Sequence, residues 1–246
     1  MKTWIKVMLW FCGAILLIIL LHTPIYETDP AWKTSALSLS GQTIVIDPGH
    51  GGVDGGAVGK DKTQEKIIAL KVAKMTRAFL EEAGAIVYMT REGDYDLAGE
   101  GVSGFSRRKS IDIRNRLDFI HKKEADLFIT IHLNSLPSSR WHGAQTFYYD
   151  SFAENKQLAT FIQDEIIRNL QNTTRVPLEI NTIYLLKHAE VPGALVEIGF
   201  LSNEAELAKL KDENYQRQMA ASIYQGIIRY LTEEDAGTIS EGLEIY

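Results

Sequence analysis

Six short, nearly uninterrupted apolar runs alternate along the chain with longer segments whose apolar residues recur at helical spacing. Strands that alternate with helices favour a sheet covered by helices on both faces, and runs without polar interruption are typical of strands buried on both sides. The predicted strands are TIVID, AIVYMT, DLFITI, GAQTFYYD, TIYLLK and GALVEI. We therefore expect an α/β fold: a single three-layer αβα domain with a central, mostly parallel or mixed sheet.

The longer segments predict four amphipathic helices. Their sequences are QEKIIALKVAKMTRAFLEEAG, RRKSIDIRNRLDFIHKK, ENKQLATFIQDEIIRNLQ and NYQRQMAASIYQGIIRYL. Gly84 is expected to end the first of them, because glycine is the usual residue just past a helix end. Asn203 is predicted to cap a further helix, with Glu206 three residues on, as in a capping box.

The composition is that of an ordinary globular protein. The chain has 246 residues, of which 45% are hydrophobic and 24% are charged, which suffices for one domain with a full core. A net charge of −6 gives no indication of a nucleic-acid partner. The single cysteine, Cys12, excludes an internal disulfide framework and leaves the globular part without a thiol nucleophile or a cysteine-based zinc site.

The first 22 residues predict a membrane segment. Lys2 and Lys6 precede Val7–Leu21, which carries no charge. We expect residues 1–22 to be an uncleaved signal anchor, with a cleaved signal peptide as the alternative because the apolar length is borderline. The lysines before the span place the rest of the chain outside the cytoplasm.

The remaining chain divides into three parts. Residues 23–42 contain Pro24, Pro30 and a serine-rich stretch, and predict a linker. Residues 43–232 form the predicted catalytic domain. Residues 233–246 are acidic, with few strongly apolar side chains, and predict a disordered tail.

Three predicted strands end in a residue suited to metal binding or proton transfer. TIVIDPGH leads to His50, LFITIH to His132 and ALVEIG to Glu197, and the carboxyl ends of strands are where α/β sheets gather their sites. A glutamate inside an apolar run is costly to bury unless it is paired or faces a cation. Glu65, at the start of the first helix, is a fourth candidate, although a carboxylate there is also favoured by the helix dipole.

Two imidazoles and a carboxylate suit a catalytic zinc that keeps one position open for water. No HExxH motif is present, so the site is not built on one helix. In such a site Glu197 would be a proton shuttle. Spacing alone leaves the roles of Glu65 and Glu197 open.

Four motifs in order resemble the zinc-dependent N-acetylmuramoyl-L-alanine amidase family. They are DPGHGG with Glu65 fifteen residues after His50, then TREGD, DLFITIHLNS and PGALVEIGFLSN, and the resemblance covers about Thr43 to Leu231. It implies zinc (Zn²⁺) on His50, Glu65 and His132, with Glu197 as general base and acid. The implied reaction is hydrolysis of the amide between the lactyl group of N-acetylmuramic acid and L-alanine in peptidoglycan.

Within the family, IHLNS with GAQTFYYD and TIYLLK is similar to the germination-specific branch, which acts on spore cortex peptidoglycan. This resemblance implies a role in cortex maturation, as a step toward muramic-lactam formation and germination. The expected location is extracytoplasmic, anchored or secreted, in the space between the membranes of the developing spore. The expected partners are peptidoglycan and the membrane, and an activating or delivering protein is left open.

Asn134 and Arg116 are weaker candidates for contact with substrate, and a turn is as good an explanation for Asn134. Two other functions stay open. A zinc carboxypeptidase that trims stem peptides would need a basic residue for the terminal carboxylate, and Arg91 and Arg116 are available. A non-catalytic wall-binding module is disfavoured because all four principal residues are present.

Overall fold

A computed structural model describes residues 39–243, together with residues 3–5, 8, 10, 12 and 13 near the N-terminus, and describes side chains as far as Thr232. Residues 3–5, 8, 10, 12 and 13 are helical. Among the described residues, no helix has both the length and the apolar character needed to cross a membrane. Most of the predicted anchor lies outside the described residues. The predicted linker also lies outside them as far as residue 38.

The core of the domain is a six-stranded mixed sheet with the strand order β2-β1-β3-β6-β4-β5. Strands β2, β1, β3 and β6 are parallel, β4 pairs antiparallel with β6, and β5 runs parallel to β4. The strands are β1 (Thr43–Pro48), β2 (Ile86–Met89), β3 (Leu127–Asn134), β4 (Gln145–Tyr148), β5 (Leu178–Glu179) and β6 (Gly193–Phe200).

Helices cover both faces of this sheet, which confirms the predicted α/β class with a central mixed sheet. Helices α1, α3 and α6 bury one face around Ile46, Ile131 and Ile198, and α2 and α4 bury the other around Phe128 and Leu195. The helices are α1 (Glu65–Glu82), α2 (Phe105–Lys122), α3 (Ala153–Leu170), α4 (Tyr184–His188), α5 (Glu204–Lys211) and α6 (Glu213–Leu243).

The topology brings several loops to one edge of the sheet. Strands β1, β3 and β6 are parallel and end there. Strand β4 is antiparallel to β6 and therefore begins at the same edge, as does β5. Residues that follow β1, β3 and β6 or precede β4 and β5 consequently share one surface.

The prediction of a strand over TIYLLK is wrong. Tyr184–His188 forms the short helix α4, in which Leu185 and Leu186 are buried. A short apolar run is compatible with either a strand or a turn of buried helix, and its periodicity does not separate the two.

The backbone of the C-terminal tail also differs from the sequence prediction. Residues 233–243 continue helix α6 as far as Leu243, where a disordered tail is predicted. Although it contains Gly237 and Gly242, the segment has no proline, and its glutamates and alanine favour helix. Residues 244–246 lie outside the described part of the chain, and the boundaries of the predicted domains stay predictions.

The predicted cap at Asn203 is confirmed, but the capping box is not. The Asn203 side chain accepts hydrogen bonds from the backbone N–H groups of Ala205 and Glu206. The Glu206 carboxylate instead accepts from the N–H groups of Gly143 and Phe200, each at 2.7 Å. Glu206 thus fixes the start of α5 against the end of β6 and the loop before β4.

Close packing of α6 on α3 yields a stability prediction. A Cβ added at Gly226 would lie 2.7 Å from the backbone nitrogen of Ile162, too close for either helix to keep its place. Helix propensity favours Gly226→Ala by about 1 kcal/mol, whereas overpacking costs about 1–3 kcal/mol. We expect a net loss of up to about 2 kcal/mol in the free energy of unfolding, measured with urea.

The matched control is Arg217→Ala on the exposed face of the same helix, which should change the free energy of unfolding by less than about 0.5 kcal/mol. A stabilised Gly226→Ala protein would show that the α3–α6 contact is not as close as described.

Candidate active site

Three potential metal ligands meet at the carboxyl edge of the sheet. His50 follows β1, Glu65 begins α1 and His132 lies near the end of β3. His50 Nε2 lies 3.1 Å from Glu65 Oε2, and His132 Nδ1 lies 2.9 Å from Glu65 Oε1. All three ligand atoms are within 4.8 Å of one another. The structure therefore brings together the three residues that the sequence proposes as ligands.

Glycine is required next to these ligands for steric reasons. A Cβ at Gly49 would overlap the imidazole ring of His132. At Gly56, which has a φ of 69°, a Cβ would lie 2.5 Å from Glu65 Oε2 and 2.6 Å from His50 Cδ2. His50 itself has a φ of 61°, a left-handed conformation that is uncommon outside glycine. The loop from Asp47 to Gly56 thus packs its backbone against the ligands, and His50 carries its imidazole on a strained backbone.

Glu65 is held as a carboxylate in a fixed orientation. The residue is buried, and its two oxygens accept hydrogen bonds from the backbone N–H groups of Leu133 (2.9 Å) and Ala57 (2.7 Å). Burial alone would raise its pKa, but the hydrogen bonds and charges of His132 and His50 outweigh this effect and hold the pKa well below the usual range. The group is therefore ionised, as a metal ligand must be.

Asp54 orients His50, and the sequence reasoning missed it. His50 Nδ1 donates to Asp54 Oδ2 at 2.9 Å, while Asp54 also accepts from Gly56 N and lies 3.0 Å from Lys109 Nζ. Burial lowers the pKa of His50, but the hydrogen bonds to Asp54 and Glu65 outweigh it and raise the pKa to about 9. A carboxylate on the far nitrogen of a histidine ligand fixes the tautomer that leaves the other nitrogen for the metal.

Glu197 faces this group from strand β6. It is the register partner of His132 across β3 and β6, and its Oε2 is buried without a hydrogen-bond partner. Burial raises its pKa to about 7, with the charges of the two histidines lowering it and that of Glu65 raising it. A carboxylate in this environment is poised to gain and lose a proton near neutral pH.

The donor set fits zinc. Two imidazole nitrogens and one carboxylate oxygen form a usual catalytic zinc set, and ligands about 2.0–2.1 Å from a tetrahedral ion lie about 3.3 Å from one another. The 3.1 Å and 2.9 Å separations at Glu65 are close to that value. The partnerless oxygen of Glu197 is a second sign, since a nearby cation or its bound water would satisfy it.

Arg116 is placed where it supports the site. Its guanidinium donates to Asp47 at 2.7 Å, to Asp112 at 2.9 Å, and to the carbonyls of Pro48 at 2.9 Å and His50 at 2.5 Å. Although Arg116 lines the cavity wall, these bonds direct it toward the protein. The structure thus gives Arg116 a positioning place under His50, and its contact with substrate stays a prediction.

Arg91 is a second buried guanidinium with a similar place. It is 0% exposed and donates to the carbonyls of Pro48, Gly49, Lys66 and Gly93 at 2.8–3.0 Å. A single cation therefore ties the turn before His50 to the first turn of α1, which carries Glu65. With these donors directed inward, Arg91 is not placed to hold the terminal carboxylate that a carboxypeptidase must bind.

The cavity in front of the ligands has a volume of about 270 Å³. Its walls come from α2, through Lys109 and Ile113, and from α4 and the residue before it, through Tyr184 and Ile183. Asn134 is not among its lining residues. The carbonyl of Asn134 accepts from Leu201 N at 2.8 Å, and contact of its side chain with substrate stays a prediction.

Residues 44–229 match the family model described as N-acetylmuramoyl-L-alanine amidase. This chain belongs to the N-acetylmuramoyl-L-alanine amidase family. It is thus an enzyme of the cell-wall amidase type, and the resemblance seen in its motifs is confirmed. The roles of His50, Glu65, His132 and Glu197 rest on the resemblance of their motifs and stay proposals.

Two relatives are similar to this chain over most of its length. The chain is 50% identical to the germination-specific N-acetylmuramoyl-L-alanine amidase of Bacillus subtilis over 234 residues, covering 95% of this chain and 98% of that protein. The solved structure of the CwlD amidase of Clostridioides difficile, in complex with the GerS lipoprotein, matches with a TM-score of 0.76 and 40% identity, covering 78% of this chain and 98% of that one.

More distant amidases share the same domain. The AmiC2 amidase of Nostoc punctiforme matches with a TM-score of 0.67 and 30% identity, covering 78% of this chain and 99% of that one. The amidase LytC of Bacillus subtilis is 32% identical over 192 residues, which are 77% of this chain and 36% of LytC.

The support of His50 by Asp54 predicts a metal-binding defect. Asp54→Asn removes the carboxylate while keeping the size of the side chain, and loss of such a partner typically weakens metal binding about 10–100-fold. We expect a loss in this range for zinc, measured by competition with a chromogenic chelator.

The control is Asp61→Asn, in the same glycine-rich loop, where the carboxylate pairs with Lys211 at 2.7 Å and not with a candidate ligand. Equal zinc affinity in the Asp54→Asn and parent proteins would contradict the orienting role of Asp54.

Proposed function

We propose that this amidase is a zinc-dependent hydrolase of spore cortex peptidoglycan. It cuts the amide between the lactyl group of N-acetylmuramic acid and the L-alanine of the stem peptide. The germination-specific relative from Bacillus subtilis supports the cortex as the substrate, because the two proteins align over almost their whole lengths. Hydrolysis frees the lactyl carboxyl group of muramic acid, which is the group that forms the lactam.

The observation that carries the mechanism is the partnerless buried carboxylate of Glu197 opposite the His50–Glu65–His132 cluster. These three residues would hold zinc, which when bound polarises the scissile carbonyl and lowers the pKa of water. Glu197 accepts the proton of the attacking water and delivers it to the amide nitrogen as the bond breaks. Its pKa near 7 suits both transfers.

The remaining residues of the site position the reacting groups. Asp54 holds the His50 ring, and backbone N–H groups from Leu133 and Ala57 hold Glu65. Helices α2 and α4 form walls of the cavity. Preorganised groups of this kind need little rearrangement when charge develops in the transition state.

Location and partners follow from the same assignment. We infer that residues 1–22 anchor the enzyme in a membrane, with the catalytic domain in the space between the two spore membranes. The C. difficile relative was solved with a lipoprotein bound, which supports a protein partner for this chain also. A carboxypeptidase or a purely binding module has no specific observation in its favour, since Arg91 and Arg116 are both bonded within the protein.

Two substitutions separate the metal from the base. His132→Ala leaves two protein ligands, so zinc and activity should be lost together. Glu197→Gln keeps shape but removes the proton-accepting oxygen, so the variant should retain zinc and cut at least about a hundred times more slowly. Zinc is measured by atomic absorption, and products from purified cortex peptidoglycan by mass spectrometry.

Free stem peptides beginning with L-alanine identify the amidase reaction in the parent, whereas single amino acids would identify a carboxypeptidase. A zinc-free Glu197→Gln protein would mean that Glu197 is a ligand and that its role is exchanged with that of Glu65. A zinc-replete and fully active variant would place the base elsewhere.

A further inference from the structure

A second cavity opens at the same edge of the sheet, beyond Glu197. Its volume is about 500 Å³, and we call it the arginine groove. One wall comes from the loop before β4 and the other from the loop before β5. Both loops lie at the edge where β1, β3 and β6 end, so the groove and the active site share one surface. The groove is lined by Arg140, Trp141, His142, Thr173, Thr174 and Arg175.

The groove is connected to Glu197 through one residue. Gln145, the first residue of β4, is the register partner of Glu197 in the antiparallel pairing of β4 with β6. Directly opposed residues of such a pair lie on the same face of the sheet with Cα atoms about 4.5–5.5 Å apart. The Gln145 side chain does not turn toward Glu197, because it donates to the carbonyl of Val176 at 3.0 Å and accepts from Arg175 at 3.2 Å.

The charge of the groove is positive and uncompensated. None of its six lining residues is acidic. Within residues 39–232, neither Arg140 nor Arg175 forms a salt bridge: Arg140 contacts the Ser138 hydroxyl, and Arg175 contacts Gln145 and the carbonyl of His142. These two arginines leave guanidinium donors available for an anionic ligand.

Aromatic rings hold one arginine of the groove in place. The guanidinium of Arg175 lies 5.4 Å from the ring centroids of both Trp141 and Phe200, a separation at which cation–π attraction holds it in place. Trp141 remains 46% exposed, so its ring is available to a ligand. A preorganised guanidinium beside an exposed indole and threonine hydroxyls matches a ligand that has a carboxylate next to an apolar segment.

We propose that the arginine groove binds a free carboxylate of the stem peptide of the amidase substrate, with Trp141 covering the adjoining aliphatic part of the peptide. Stem peptides carry free carboxylates, and this groove lies one strand pair from the residue that protonates the departing peptide. The proposal rests on the amidase reaction given above. It makes the groove a specificity subsite for anionic stem peptides, separate from the zinc ligands and from Glu197.

The test uses two muramoyl peptides that are identical except that the stem-peptide carboxylates are free in one and converted to primary amides in the other. The variants are Arg140→Gln and Arg175→Gln in the zinc-loaded protein. One lost charge-assisted contact should raise KM for the free-carboxylate substrate about tenfold, with kcat unchanged. KM for the amidated substrate should change less than about twofold, and the parent should already show the higher KM on it.

Arg217→Gln, on the exposed surface of α6, is the matched control and should not alter KM for either substrate. Arg140 is exposed and packs on little, so its variant keeps the test valid if Arg175→Gln disturbs the aromatic wall. Equal KM values of the parent for the two substrates, or equal increases for both substrates in the variants, would overturn the proposal.

Calorimetric titration of the isolated stem peptide, with free or amidated carboxylates, provides a reading independent of turnover. The parent should bind the free form about tenfold more tightly, and both variants should lose this preference. If the parent failed to cut muramoyl peptides, the proposed function would fall, while this titration would still decide the role of the groove. Absence of any preference in the parent would reject the subsite whatever the activity.

Discussion

Two buried guanidinium groups hold the turn on which the site depends. Arg116 and Arg91 both donate to the carbonyl of Pro48, and between them they also reach those of Gly49 and His50. The charge of Arg116 is balanced by the carboxylate of Asp47. Burial raises the pKa of Asp47, but the charge of Arg116 and hydrogen bonds from Thr90 and Thr130 outweigh burial and hold this pKa below its usual value. A buried charge without its partner is costly, so Arg116 stays fixed beside Asp47. Its hydrogen bonds to the carbonyls of Pro48 and His50 then hold the strained backbone at His50 in place.

The two glutamates of the site have opposite environments, and this difference assigns their roles. Glu65 accepts from two backbone N–H groups and faces two histidines, so its pKa lies well below the usual range. Glu197 has a buried oxygen with no donor, and its pKa rises to about 7. Carboxylates whose environments separate their pKa values in this way are the usual ligand-and-base or acid-and-base pairs of hydrolytic sites.

The sequence predicts five of the six described strands, all described helices except α4, and the cluster of His50, Glu65, His132 and Glu197. The cluster follows because parallel apolar strands bring their carboxyl ends to one edge. The short strand β5 has no sequence prediction. Sequence reasoning fails where local pattern carries no information. The apolar run TIYLLK is compatible with a strand or a short helix. In the structure, part of it forms helix α4, which packs against α2. Arg116 is an unremarkable helical arginine until the fold buries it beside Asp47. Asp54 could have been found from the sequence, as a carboxylate four residues after a candidate histidine ligand. The arginine groove could not, because it joins loops about thirty residues apart and no local pattern marks it.

We propose that His50, Glu65 and His132 are the protein ligands of a zinc ion and that Glu197 is not. A crystal structure of the zinc-loaded catalytic domain, with diffraction recorded on both sides of the zinc absorption edge, would locate the ion and its ligands. We expect one anomalous peak about 2.0–2.2 Å from His50 Nε2, His132 Nδ1 and one oxygen of Glu65. We also expect Glu197 to lie outside bonding distance of the metal, within reach of its water. A peak bonded to Glu197, or one away from the two histidines, would show that the ligands are assigned wrongly.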